Sequence, residues 1–256
     1  MISQGNKMKI IISPAKKMNM DDGLPYKDLP CFLDRTEVLM KILQSMTINE
    51  LQKLWQCNDE LAQLNFKRFS NMRLTGNLTP AVIAYEGLQY QHMAPSVMEN
   101  EALAYLEKYL RILSGFYGLL KPFDGVTPYR LEMQAKLTVE IKKDLYAYWG
   151  NLLYKKLVEE DHVILNLASK EYSKCIEKFL EPDVKFITCE FLTEAKGKLV
   201  QKGTLAKMAR GEMVRFLALN NITEPEEAKN FTALGFVFKP ELSSESKYVF
   251  VSSKAK

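Results

Sequence analysis

Two short β-branched runs, Lys9-Ile10-Ile11-Ile12-Ser13 and His162-Val163-Ile164-Leu165-Asn166-Leu167, constrain this chain more than any other feature. Each is continuous rather than alternating, as in a strand covered on both faces, and each is too short for an ordinary helix. Each also runs into a serine-bearing turn, Ser13-Pro14-Ala15-Lys16-Lys17 and Ala168-Ser169. Parallel strands would set those turns side by side, at the sheet edge where open α/β folds collect ligands.

Further strands are expected at Pro80–Tyr85, Val184–Phe191, Gly235–Phe238 and Tyr248–Val251, with Lys198–Val200 as a hairpin partner across Ala195-Lys196-Gly197. Apolar residues at helical spacing predict helices over Leu33–Gln44, Ile48–Trp55, Asp59–Phe69, Asn100–Leu113, Asp144–Val158, Ser169–Phe179 and Thr204–Leu219. Strands and helices intermix without a repeat or a low-complexity linker. The fold class is therefore α/β in the mixed α+β sense: one domain over residues 8–251, a mixed sheet flanked by helices. Residues 1–7 read as a leader, an alternative start or a cloning remnant, and residues 252–256 as a tail.

Composition excludes several classes. The 256 residues contain no apolar run near the ~20 needed to span a bilayer, and MISQGNK lacks the apolar core of a signal peptide. Cys31, Cys57, Cys175 and Cys189 form no C-x-x-C pair and read as separate reduced thiols. With only His92 and His162, both read as structural, no metal site and no cofactor are expected. The 35 basic and 31 acidic residues leave a net charge of +4, too small by itself to imply a polyanion partner. Their distribution says more. Lys196, Lys198, Lys202, Lys207, Arg210 and Arg215 face the single acid Glu212 over twenty residues.

Four constellations carry chemistry. Ser13 and Lys16 follow the first strand, where hydroxyl and ammonium can meet a phosphate or carboxylate. The loop is not a Walker loop, which needs G-x-x-x-x-G-K-[ST]. Ser169 sits at the N-cap of a helix whose N-terminus attracts anions; taken alone a plain capped helix explains it better, and only the second serine turn after a strand points to a ligand. On the Thr204–Leu219 helix, Lys207, Arg210 and Gly211 share a face, opposite Leu205, Ala209, Phe216 and Leu219. Gly211 costs about 1 kcal/mol against alanine in a helix interior, so a ligand or another backbone is expected to approach closely there.

The fourth constellation is Leu110–Met133. Helix Asn100–Leu113, the turn Ser114-Gly115-Phe116-Tyr117-Gly118 and Leu119-Leu120-Lys121 outline a helix, a glycine hairpin and a short helix. Helix-hairpin-helix elements hold the DNA backbone in this way. Here two residues separate the glycines instead of one, and core packing of Phe116, Leu119 and Leu120 competes as an explanation. Beyond it, Pro128-Tyr129-Arg130-Leu131-Glu132-Met133 offers a phenol, a cation and a carboxylate. Arg130 and Glu132 either pair with each other or join a polar cleft in which Glu132 is a base. Asp144 and Trp149-Gly150 add less.

Taken in order, Ile12-Ser13-Pro14-Ala15-Lys16, Leu113-Ser114-Gly115-x-Tyr117-Gly118, Pro128–Met133, Asn166-Leu167-Ala168-Ser169-x-Glu171-Tyr172 and Ala209-Arg210-Gly211 resemble the YaaA peroxide-stress family of bacteria. The resemblance runs from Met8 to about Val251. It implies a cytoplasmic protein of the oxidative-stress response that limits intracellular iron and protects DNA. It also implies a mixed α/β fold with a basic cleft and a helix-hairpin-helix-like element on duplex DNA.

The leading expectation is thus sequence-independent binding of duplex DNA. Ser13, Lys16, Arg130, Lys207, Arg210 and Arg215 would contact anions, and the hairpin would comprise Ser114, Gly115, Tyr117, Gly118 and Lys121. The alternative is an enzyme acting on a nucleotide or other phosphorylated small molecule, with Glu132, Tyr129 and Ser169 as catalytic candidates. Geometry separates the two. A narrow pocket holding Glu132 and Tyr129 beside Lys16 favours the enzyme, and a groove as wide as a duplex favours DNA.

Overall fold

The computed structural model describes residues 8–252 apart from Asp22 and Glu160. The leader expected at 1–7 and nearly all of the tail lie outside the described residues. Eight strands form one mixed sheet: β1 (Met8–Ile12), β2 (Leu110–Ser114), β3 (Gly118–Leu120), β4 (Val163–Leu167), β5 (Lys185–Ala195), β6 (Lys198–Val200), β7 (Phe236–Phe238) and β8 (Lys247–Ser252). The spatial order is β7-β8-β5-β4-β1-β2-β3, with β6 paired to the far end of β5.

The five inner strands are parallel, and β3, β6 and β7 run antiparallel at the margins. Every residue of β1, β2 and β4 is buried, as continuous apolar runs in a doubly covered sheet require. From β1 the chain moves to β2 on one side, then crosses to β4 on the other and continues outward to β5. The crevice between the carboxyl ends of β1 and β4 is therefore a topological switch point, the place where such sheets leave room for a ligand.

Helices cover the sheet: α1 (Leu33–Ser45), α2 (Ile48–Trp55), α3 (Asp59–Ser70), α4 (Leu88–Met93), α5 (Asn100–Tyr109), α6 (Leu145–Trp149), α7 (Leu152–Val158), α8 (Lys170–Glu177) and α9 (Gly203–Leu219). The β5–β6 hairpin forms as expected, with Lys196 and Gly197 both at positive φ in a two-residue turn.

Four expectations fail, most of them because a distant partner overrides a local pattern. Asn100–Leu113 is not one helix; it stops at Tyr109, and Leu110–Ser114 pairs with β1 in the register Ile10↔Leu110, Ile12↔Ile112. Pro80–Tyr85 is not a strand. Ala81–Ala84 makes a single helical turn, with Ala81 and Val82 donating to the carbonyls of Asp124 and Pro122. Asp144–Val158 breaks in two at Gly150, whose φ of +52° ends α6.

The helix-hairpin-helix outline is also overturned. Ser114↔Gly118 and Ile112↔Leu120 pair as an antiparallel β-hairpin, and Leu119-Leu120 lies in β3 rather than a helix. Ser114, Gly115, Tyr117 and Gly118 are buried, and Lys121 is exposed and pairs with Asp28 at 3.2 Å.

Candidate functional site: a donor-rich pocket at the switch point

β1 and β4 deliver their serine turns to the same crevice. The Ser169 backbone N–H donates to Ser13 Oγ at 2.8 Å, and Ser13 Oγ donates to Ser169 Oγ at 3.2 Å. Asn166 shapes the exit of β4: its Oδ1 accepts the Ala168 N–H at 2.9 Å and its Nδ2 donates to Thr188 Oγ1 at 3.2 Å. Ser169 holds the N-cap position of α8, yet its hydroxyl makes no capping bond. The Tyr90 hydroxyl donates to the Ser13 carbonyl at 2.9 Å, which ties α4 to the turn.

Around these turns lies a cavity of about 350 Å³. Its lining includes Ser13, Lys16, Tyr129, Arg130, Glu132, Ser169, Lys207 and Arg210, all candidates from the sequence. Glu132 bridges two cations, with Lys16 Nζ at 3.1 Å and an Arg130 guanidinium nitrogen at 3.2 Å. The same Arg130 nitrogen donates to the Trp55 carbonyl at 3.4 Å. The pair expected between Arg130 and Glu132 thus forms within the cleft, and Lys16 extends it.

Unpartnered donors outnumber unpartnered acceptors in the pocket: Glu132 Oε1 is buried and meets Arg130 as an ion pair without a hydrogen bond, against three donors. Arg130 is only 9% exposed, and its buried Nε has no hydrogen-bond partner. Arg210 Nε and Gln89 Nε2 are likewise buried and unpartnered. Among the described residues no carboxylate lies within ion-pair distance of Arg210, and burial depresses its guanidinium pKa. An unpaired buried donor costs roughly 1–3 kcal/mol, more when charged. Three such donors in one lining call for a ligand rich in acceptor oxygens.

Glu171, in the first turn of α8, also lines the cavity, and its Oε1 accepts the Gln134 N–H at 3.2 Å. Burial raises its carboxyl pKa and the neighbouring Glu132 adds to the rise, against the lowering effect of the Gln134 bond and Lys16. A carboxyl moved towards neutrality in a cleft is suited to proton transfer. The sequence holds Glu171 within a motif but gives it no role, and it gives no signal for Gln89 or Tyr90.

Arg215 is not part of the site. Five positions on from Arg210 it lies about 140° round the helix. There it donates to the Met93 carbonyl at 3.5 Å and lines a separate cleft with Tyr105 and Leu219. Leu219, expected on the apolar face of α9, is 55% exposed.

The glycines serve the pocket from behind. A Cβ on Gly211 would lie 2.1 Å from the Gln89 carbonyl oxygen, so it is the backbone of α4 that approaches there. A Cβ on Gly115 would lie 2.5 Å from the Leu131 carbonyl, so this glycine seats the segment that carries Arg130 and Glu132. The histidines are structural: His92 pairs with Glu212 at 2.8 Å, joining α4 to α9, and His162 pairs with Asp183 at 2.8 Å.

The family model described as peroxide stress protein YaaA matches residues 8–242, from β1 through every pocket-lining residue named above. This chain belongs to the YaaA peroxide-stress family. It is 56% identical over 244 residues to a UPF0246 protein of Agathobacter rectalis, covering 95% of this chain and 98% of that one. UPF0246 proteins of Lachnoclostridium phytofermentans and Desulfitobacterium hafniense are each 52% identical over 249 residues, covering 97% of this chain and 98% and 99% of theirs.

In a peroxide-stress family the cysteines are a natural place to look for chemistry. All four are free. Burial pushes the Cys31 thiol up to about 11 and the Cys175 thiol up to about 12, and raises that of buried Cys189. These three are protonated at neutral pH and poor nucleophiles. Among the described residues no helix is long and apolar enough to cross a membrane, and no three His, Cys, Asp or Glu side chains gather to hold a metal.

Proposed function

We propose that this YaaA-family protein binds a nucleotide or another phosphorylated small molecule in the switch-point pocket and acts on it as an enzyme. One observation carries the reading: Arg130 and Arg210 hold buried guanidinium nitrogens with no acceptor, and Arg210 has no carboxylate partner among the described residues. A phosphoryl group supplies several acceptor oxygens and compensating charge in one ligand. The cavity, about 350 Å³, falls in the range of small-molecule sites. Glu132, held between Lys16 and Arg130, fixes the cationic wall; Glu171 is the group for proton transfer; the Ser169 hydroxyl adds a donor.

The test is thermal unfolding with inorganic phosphate, ribose 5-phosphate and nucleoside 5′-monophosphates. A phosphorylated compound is expected to stabilise the native protein and to leave Arg210→Met unmoved. Equal stabilisation of both proteins would remove the reading.

The exposed rim favours a second reading, contact with duplex DNA. Lys16 and Lys17 are 63% and 69% exposed at the mouth, and Lys207 is exposed beside them. A duplex does not fit a cavity of this size, so it would lie across the mouth and meet the rim through its phosphates, without base readout. Affinity should then fall with salt at a slope near 0.9 per phosphate neutralised. Lys207→Ala should flatten that slope while Arg210→Met leaves it intact, and an unchanged slope in Lys207→Ala counts against DNA on the rim. We assign the family's part in peroxide stress to the pocket's ligand, and infer that any limiting of iron-dependent damage follows from it.

A further inference from the structure

Behind the cavity wall lies a buried chain of hydroxyls. Tyr129, which lines the pocket, has its hydroxyl 2.6 Å from Ser114 Oγ and 2.7 Å from the Tyr85 hydroxyl. Its ring stacks on Phe116 at 4.9 Å and meets Tyr117 and Tyr85 edge-on, so the phenol has one position.

The direction of these bonds follows from counting. A serine hydroxyl has one proton and two acceptor sites. Ser114 Oγ already accepts the N–H groups of Phe116 at 3.2 Å and Tyr117 at 2.9 Å. Both acceptor sites are filled, so Ser114 donates its proton, and the Tyr129 oxygen at 2.6 Å takes it. Tyr85 is fully buried, and among the described residues its hydroxyl lies beside those of Tyr129 and Ser114, of which Ser114 has no acceptor site left for another proton. If Tyr129 donated to Tyr85, the Tyr85 proton would be stranded in the core. If Tyr85 donates to Tyr129, two of the three hydroxyl protons are used and one remains free, that of Tyr129.

We propose that Tyr129 is a dedicated hydrogen-bond donor of the pocket: it accepts from Ser114 and Tyr85 and directs its own hydroxyl proton at an acceptor oxygen of the ligand. This role rests on the small-ligand reading above and adds to it a requirement that the ligand present an oxygen at the Tyr129 end of the cavity. Two accepted bonds polarise the Tyr129 hydroxyl and make it a stronger donor. The phenol is raised less than its neighbours: burial lifts Tyr129 to about 12, held back by Ser114 and Tyr85, whereas Tyr85 and Tyr90 rise well above their ordinary value. Ser114 and Tyr85 are positioning residues here.

Two measurements decide the matter. The first needs no ligand: tyrosine labelled with carbon-13 at Cζ, observed in an equal mixture of H2O and D2O, where a hydroxyl locked in slow exchange splits its signal. Tyr85 should be split and Tyr129 unsplit, and the Tyr85 splitting should collapse in Tyr129→Phe. The reverse pattern, Tyr129 split and Tyr85 not, overturns the proposal.

The second uses adenosine 5′-monophosphate as probe. Tyr129→Phe, which keeps the ring, should weaken binding ~10-fold. Tyr85→Phe should weaken it less in the native background and not at all in Tyr129→Phe; a merely structural role would give additive losses. If the probe binds the native protein, fails with Arg210→Met, and binds Tyr129→Phe undiminished, the donor role is wrong and the pocket reading stands. If the probe does not bind the native protein, the ligand reading loses its support and the splitting pattern alone decides the direction of the hydroxyl chain.

Discussion

Two charged clusters on this sheet look alike in composition and differ in closure. Around Glu226, Lys229, Lys185 at 3.5 Å and the Tyr248 hydroxyl at 2.7 Å all converge on one carboxylate. Hydrogen bonds from Lys229 and Tyr248 hold that carboxyl down to about 2. The cluster is solvated and its charges answer one another. At the switch point Lys16, Arg130, Lys207 and Arg210 meet Glu132 and Glu171, yet Arg130 Nε, Arg210 Nε and Gln89 Nε2 are buried with nothing to donate to. A structural cluster completes itself from its own chain, whereas a binding cluster leaves a defined deficit for the ligand to fill.

The largest effect should come from Arg210→Met, which removes the deficit at similar volume. Binding of a phosphorylated probe should fall more than 100-fold, a loss of about 3 kcal/mol or more. Thermal stability should stay level or rise by about 1 kcal/mol, because an uncompensated buried charge is gone. A large fall in stability, read by calorimetry, would mean that Arg210 is structural.

Gly211→Ala probes the same wall from behind. Alanine gains about 1 kcal/mol in helix propensity, but its Cβ would press on a backbone carbonyl 2.1 Å away, and overpacking costs roughly 1–3 kcal/mol. A net loss of up to about 2 kcal/mol in urea unfolding is expected, with weaker probe binding as α4 shifts. A stabilised variant would show that α4 yields freely.

Asp124 sharpens the contrast between buried and solvated carboxylates. Burial raises it from 3.8 to about 7 although it accepts the Lys121 N–H at 2.9 Å. Between those values the folded protein holds a proton that the unfolded chain has released, so stability falls as pH rises through that window. Asp124→Asn should therefore gain roughly 2–3 kcal/mol relative to the native protein between pH 5 and pH 8. A difference independent of pH would place the proton elsewhere.

The smallest effect belongs to the closed cluster. Glu226 is depressed, so its contribution is present above about pH 4.5 and lost as pH falls towards 2. Being largely solvated, it should cost less than about 1 kcal/mol as Glu226→Gln at pH 7, with probe binding unchanged. A change in probe binding would erase the distinction between the clusters.

Much of the site was legible because its parts are local. The serine turns follow continuous β-branched runs, and Lys207 and Arg210 share a face of a recognisable amphipathic helix. Parallel pairing of β1 with β4 then brings Ser13 against Ser169. The 110–133 segment was less legible. Leu103, Leu106, Leu110 and Leu113 satisfy a helical period, but the ladder from Ile10–Ile12 captures Leu110–Ile112 as strand. Ladder bonds and burial outweigh propensities worth a few tenths of a kcal/mol per residue.

By itself, then, the sequence determined the strand cores, the serine turns, the basic helix and the set of chemical groups available to a site, because each depends on neighbours a few positions away. Tertiary structure decided which of those groups are left unpaired. Arg215 finds the Met93 carbonyl while Arg210 finds no carboxylate; Gly115 and Gly211 meet backbone rather than ligand; and the Tyr129 hydroxyl receives two bonds from residues 15 and 44 positions away. A deficit of partners is a property of everything that surrounds a group, and only the folded chain fixes those surroundings.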